Sequence, residues 1–157
     1  MAYNTAIANA LIHLEMQPTA STNPTTTQAT AIWTQQYARL SNTLAAAGVS
    51  AIGTGTALTV AQDIEALCTS HRVGKLQETQ AGGNISAKTA ELKEECEAMI
   101  EHYTSSIGVR ELEAGGATVD RIEVRGLATE FPNSDLDTSD YKSPLGSNRW
   151  ARRGGDL

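Results

Sequence analysis

Large apolar residues are scarce in this chain. Hydrophobic residues fill 40% of its 157 positions, yet 23 of them are Ala, and Leu, Ile, Val and Phe together number only 29. Ala removes little area from water, so the expected core is thin and depends on narrow helical stripes. A net charge of −6 is nevertheless too small for a disordered chain. No apolar run approaches the roughly 18 residues that a membrane-spanning helix needs, so no membrane partner is expected. The N-terminus lacks Lys or Arg before its short apolar stretch, and no signal peptide is expected either. The acidic balance argues against a dedicated nucleic-acid binder. Cys68 and Cys96 allow at most one bridge, and the expectation is two buried thiols of a cytosolic chain.

Charge is almost missing from the first third. Residues 1–60 hold only Glu15 and Arg39 and are rich in Thr and Ala. A soluble monomer usually displays more charge, so partial covering by neighbouring subunits is the preferred reading.

What is present is helical periodicity. Ile7, Leu11 and Leu14 share one stripe of a first helix over Ala6–Leu14, with Thr5 as its cap and Pro18 beyond it. A polar loop leads to a second helix ending near Ala47, with Gly48 as its stop. Its start has two readings. Thr25 and Gln28 have capping-box spacing, and Asn23 with Pro24 at the first helical position fits equally well. Ala29, Ile32, Leu40 and Leu44 mark its apolar stripe.

Residues 49–57 read as a glycine-containing loop. Thr59 and Gln62 then have capping-box spacing for a third helix to about Thr79, with Ile64, Leu67, Cys68 and His71 on its buried face. Gly74 inside it predicts a close helix crossing. Ser86 caps a fourth helix from Ala87 to about Ser105, ended by Gly108. Leu92, Cys96 and Ile100 are apolar, while Glu91, Glu94, Glu95, Glu97 and Glu101 make the opposite side acidic. Thr118–Val124 alternates like a strand, and Val109–Glu113 is its expected partner across the turn Ala114-Gly115-Gly116.

The predicted fold is mainly α: a four-helix bundle-like core over residues 1–108, a short β-hairpin or strand over 109–125, and an extended irregular C-terminal tail over 126–157. The tail carries Phe131, Tyr141, Pro144, Leu145 and Trp150, with Arg149, Arg152 and Arg153 around the last of these. Spaced aromatics with arginines at their rim suit a segment that docks on another protein.

The candidate chemistry is sparse. Cys68 and His71 lie three apart on one helix face, the spacing of a nucleophile with its base or of half a metal site. No second Cys/His pair and no orienting acid accompany them, so a core thiol beside a partly buried imidazole is the simpler reading. Gly53-Thr54-Gly55-Thr56 has the glycines of a phosphate loop but neither its Gly-Lys-Ser/Thr ending nor a preceding strand. Glu94, Glu97 and Glu101 form a candidate channel-facing acidic face, because an acidic wall repels phosphates and lets DNA slide past.

A short first helix, a Thr-rich loop with Asn23-Pro24-Thr25, a long helix ending Leu44-Ala45-Ala46-Ala47-Gly48-Val49 and a third helix with Gly74 form a pattern. Together with the ending Tyr141-Lys142-Ser143-Pro144-Leu145-Gly146-Ser147-Asn148-Arg149-Trp150, it resembles the small helical head-to-tail adaptor (connector) proteins of long-tailed bacteriophages. The resemblance covers roughly residues 5–105 and the C-terminal end. It implies a homo-oligomeric, dodecameric ring in the virion neck, assembled in the host cytoplasm. Such a ring binds the portal protein, offers a platform to the stopper or tail protein and extends the channel for genomic DNA, with no enzyme activity and no cofactor. It also implies that the C-terminal segment, with Phe131, Tyr141, Pro144, Leu145, Arg149 and Trp150, docks on the portal.

Overall fold

A computed structural model of the chain describes residues 2–120, which lie within one compact unit. Seven elements follow in order: α1 (Ile7–Ala10), α2 (Thr26–Ala46), β1 (Val49–Ile52), α3 (Gly55–Gln80), α4 (Ala87–Thr104), α5 (Ser106–Ala114) and β2 (Ala117–Val119). The fold is mainly α with a small antiparallel two-stranded sheet.

Helix α3 is the spine. Its residues from Ile64 through His71 are all buried, so neighbours surround it on every side. A helix buried all round shows no single apolar face, which is why Glu65, Thr69 and Ser70 escaped the periodicity that identified Ile64 and Leu67. The main core gathers Leu40 and Leu44 of α2, Val49, Ile64, Leu67, Leu92, Leu112 and Ala117. A smaller cluster of Leu11, Ala29 and Val73 packs against Ile7, Leu14 and Ile32.

The helix starts separate local signals from distant ones. Thr25 is the N-cap of α2, and both halves of the capping box form: the Gln28 backbone N–H donates to Thr25 Oγ1 at 3.3 Å, and the Thr25 backbone N–H donates to Gln28 Oε1 at 2.8 Å. Ser86 caps α4 as its spacing predicts, and Gly48 stops α2 with φ +94°.

Helix α3 starts five residues earlier than the Thr59–Gln62 spacing implies. Its Ala57 N–H is satisfied by the Gly115 carbonyl at 3.0 Å, a partner distant in sequence. The Gln62 amide is committed elsewhere, to the Tyr3 carbonyl. Helix α1 is shorter than its stripe predicts, and Thr5 does not cap it; Ala6 holds that position without a side-chain bond. The carbonyls where the helix would continue accept other donors: Ser70 Oγ at Ala10 and Gln17 Nε2 at Leu11.

The region after α4 corrects the predicted hairpin. Val109–Glu113 belongs to α5, and β2 pairs with β1 instead. The register is Val49↔Val119, Ala51↔Thr118 and Ile52↔Ala117, with a bulge at Ser50. Thus Val49–Ile52, read as loop, is a strand, while residues 121–124 lie outside the described residues. Gly108 does not end α4. It sits in the first turn of α5, where a Cβ would collide with the His102 carbonyl. Ser105 ends one helix and caps the next, accepting from the Gly108 N–H at 3.2 Å and donating to the His102 carbonyl at 2.6 Å.

Helices α3 and α4 pack antiparallel across the crossing that Gly74 predicts. A Cβ on Gly74 would lie 3.2 Å from Leu14 Cδ2 and 3.3 Å from Thr89 Oγ1.

Candidate interaction surfaces

The Cys68–His71 pair is not a nucleophile with its base. Cys68 is joined to Cys96 in a disulfide that ties α3 to α4, so the two-thiol expectation is corrected. The antiparallel packing causes the pairing by placing the two Cα atoms 5.2 Å apart. His71 is buried, and its Nδ1 lies 3.1 Å from the Thr89 carbonyl, the geometry of an Nδ1–H donor. Burial holds its pKa below the ordinary imidazole value, against the opposing Thr89 bond; Arg72, Lys75 and Lys93 push it the same way. No group of three His, Cys, Asp or Glu side chains able to hold a metal occurs among the described residues.

The Gly53-Thr54-Gly55-Thr56 loop does follow a strand, β1, contrary to the sequence reading. Its helix terminus is plugged all the same. Gly115 lies so close that a Cβ there would sit 2.6 Å from Thr56 Oγ1 and 2.8 Å from the Ala57 nitrogen. Gly55, Gly115 and Gly116 therefore serve a tight backbone approach that joins α3 to the turn before β2, whereas Gly53 has open space around it.

Two polar clusters escaped the sequence reading. The first is a strap. The buried Glu65 carboxylate accepts the Asn4 N–H at 2.6 Å, Asn4 Nδ2 at 2.8 Å and the Tyr3 N–H at 3.3 Å. Asn4 Nδ2 also donates to the Gln62 carbonyl at 2.9 Å, and Gln62 Nε2 donates to the Tyr3 carbonyl at 3.0 Å. The Tyr3 ring stacks edge-on against Tyr37 at 5.2 Å. The second cluster joins the end of α3 to the start of α4. Glu78 accepts the Ser86 N–H at 2.9 Å, the Ser86 hydroxyl at 2.5 Å and the Thr89 hydroxyl at 2.7 Å. Desolvation raises the Glu78 pKa, but these bonds outweigh it and hold the carboxyl below its ordinary range.

The acidic residues of α4 divide by flank. Glu94, Glu97 and Glu101, the candidate channel-facing residues, are exposed. Glu97 also pairs with Lys93 at 3.8 Å and borders a groove between α2, α3 and α4. This groove holds a cavity of about 360 Å³ lined by Arg39, Arg72, Lys75 and Lys93, with apolar Leu40, Ile85 and Ile100. A contiguous depression of about 600 Å³ adds Ile32 and Leu76. Arg39, Arg72 and Lys75 have no carboxylate partner among the described residues. A basic groove on so acidic a chain was illegible in sequence because its charges come singly from three helices. The Arg72/Lys75 spacing, one helical turn, was its only local trace.

The candidate portal-docking residues Phe131, Tyr141, Pro144, Leu145, Arg149 and Trp150 lie outside the described residues. No helix among the described residues is long and apolar enough to cross a membrane. Comparison with protein-family models, with curated proteins and with solved structures gave no match.

Proposed function

We propose that this chain is a structural virion protein without enzyme activity: a ring-forming adaptor between the portal of a phage capsid and the stopper or tail. In this reading twelve-fold rings extend the channel through which genomic DNA passes without sequence-specific binding. The C-terminal arm docks on the portal.

The observation that carries it is the surface of α2. This helix of 21 residues buries only Ala29, Leu40 and Leu44, and Arg39 is its single charged residue. Such a long, neutral Thr/Gln/Ala surface is poorly suited to permanent exposure and well suited to covering by a neighbour. The resemblance in helix pattern to phage connectors supports the same reading.

The test is electron microscopy and mass measurement of the full-length protein, alone and mixed with portal. Rings seated on the portal are the expected result. A subunit that stays monomeric with portal present overturns the ring. Binding as one or two copies would favour another neck or tail-completion protein, or a small helical protein-binding module.

A further inference from the structure

Helix α4 separates two surfaces of opposite charge. Lys93 and Glu97 border the basic groove with Arg39, Arg72 and Lys75. Glu91 and Glu95 lie about 200° around the helix from Lys93, at roughly 100° per residue, and border a second depression with Ile12, Glu15 and Lys88. On that acidic flank Lys88 is already paired with Glu15 at 2.9 Å, which leaves Glu91 and Glu95 unbalanced. Ile12 and Met16 beside it are 67% and 69% exposed. The groove in turn offers Ile32, Leu76 and Ile85, the last 50% exposed. Each surface thus combines apolar side chains with charged ones, and the two sets of charges have opposite sign.

We propose that these surfaces are the two halves of one head-to-tail contact, with the acidic flank of one copy of this chain seated in the basic groove of the next. The inference rests on the reading of the chain as a ring subunit and names the faces that meet. The occupant is a second copy because the matching partner is built into the same body. Groove against groove and flank against flank both bring like charges together, so a two-fold contact through either face is disfavoured. A contact between unlike faces on opposite sides of a body repeats from copy to copy and closes into a ring when the rotation permits. Ile12 and Met16 would be covered by the apolar wall of the groove, with Glu91 and Glu95 meeting Arg72 and Lys75.

The test uses two full-length variants, Arg72→Glu with Lys75→Glu, and Glu91→Lys with Glu95→Lys. All four side chains are exposed, and a thermal melt checks each fold. If the groove variant melts early, Arg39→Glu replaces it. Mass is measured at low ionic strength, with one variant isotopically heavy. Wild type assembles beyond the dimer. Each variant alone loses self-association by at least about tenfold. An equimolar mixture reassembles with heavy and light copies alternating, because every contact is again between unlike charges. Either variant assembling alone like wild type overturns the inference and leaves the ring reading standing. A mixture that stays monomeric while both variants melt like wild type overturns the pairing of these faces. Wild type that is monomeric both alone and with portal overturns the inference together with the ring.

Discussion

The Glu65 carboxylate accepts both the backbone N–H and the side-chain Nδ2 of Asn4, at 2.6 and 2.8 Å, although 61 positions separate the two residues. Glu65 is fully buried and Asn4 nearly so. The contact fixes the N-terminal strap on the spine of the fold. Removing the carboxylate strands buried donors, and hydrogen bonds to a charged group are individually strong. We expect Glu65→Ala to lower stability by about 3 kcal/mol in urea unfolding. Limited proteolysis should then cut residues 2–17 before the rest. A variant that unfolds like wild type would show the strap to be dispensable.

The disulfide closes a loop of 28 residues between α3 and α4. Loop-closure entropy predicts a loss of about 3 to 4 kcal/mol on its removal. Thermal melts of wild type with and without reductant, and of Cys68→Ala with Cys96→Ala, check this. Native protein purified without reductant should also show no titratable thiol until unfolded and reduced.

Two glycines give opposite expectations. At Gly108 a Cβ would overlap the His102 carbonyl and come within 2.6 Å of Tyr103 Cα, both backbone atoms that cannot step aside. Gly108→Ala should cost at least about 2 kcal/mol. At Gly74 the nearest atoms are side-chain tips at 3.2 and 3.3 Å. There the cost of tighter contact is offset by about 1 kcal/mol of helix propensity. Gly74→Ala should be near neutral. Equal melting temperatures for the two variants would contradict the corner geometry between α4 and α5.

Acid should destabilise the fold in two stages of the same sign. Burial lowers the His71 pKa, so below the ordinary imidazole value the unfolded chain binds a proton that the native chain does not. Stability is therefore full above about pH 6.5 and falls as pH drops toward the folded value. The Glu78 pKa is lowered by its bonds to Ser86 and Thr89, net of desolvation. Its contribution is present above the ordinary carboxylate range and is lost as pH drops through it. Urea titrations between pH 7.5 and 3.5 should show both limbs. Glu78→Gln should flatten the lower one, and proton NMR should place the His71 titration below 6.5.

Features settled within a few residues were legible in the sequence. The Thr25–Gln28 box, the Ser86 cap, the Gly48 stop and the α4 stripe each depend on neighbours one turn away. Even Gly74 announced its crossing, because a glycine in a helix interior needs a reason. The same local logic went astray where a distant partner competed. Val109–Glu113 stands across the Ala114-Gly115-Gly116 turn from the alternating Thr118–Val124 and so reads as its partner, yet the Ser105 cap and the corner at Gly108 wind it into α5. The strand β2 then crosses to β1 because the intended hairpin partner is helical.

The sequence by itself determined that the chain is helical, where α2 and α4 begin and end, and that its large apolar residues suffice only for a narrow core. Tertiary structure alone decided which polar residues go inside. Glu65 and Ser70 are buried because Asn4 and Ala10 meet them there, and a lone polar residue carries no mark of a partner many positions away. Tertiary structure also joined Cys68 to Cys96 and gathered Arg39, Arg72, Lys75 and Lys93 into one groove. Pairing and charge convergence depend on distances between helices, which local periodicity does not encode.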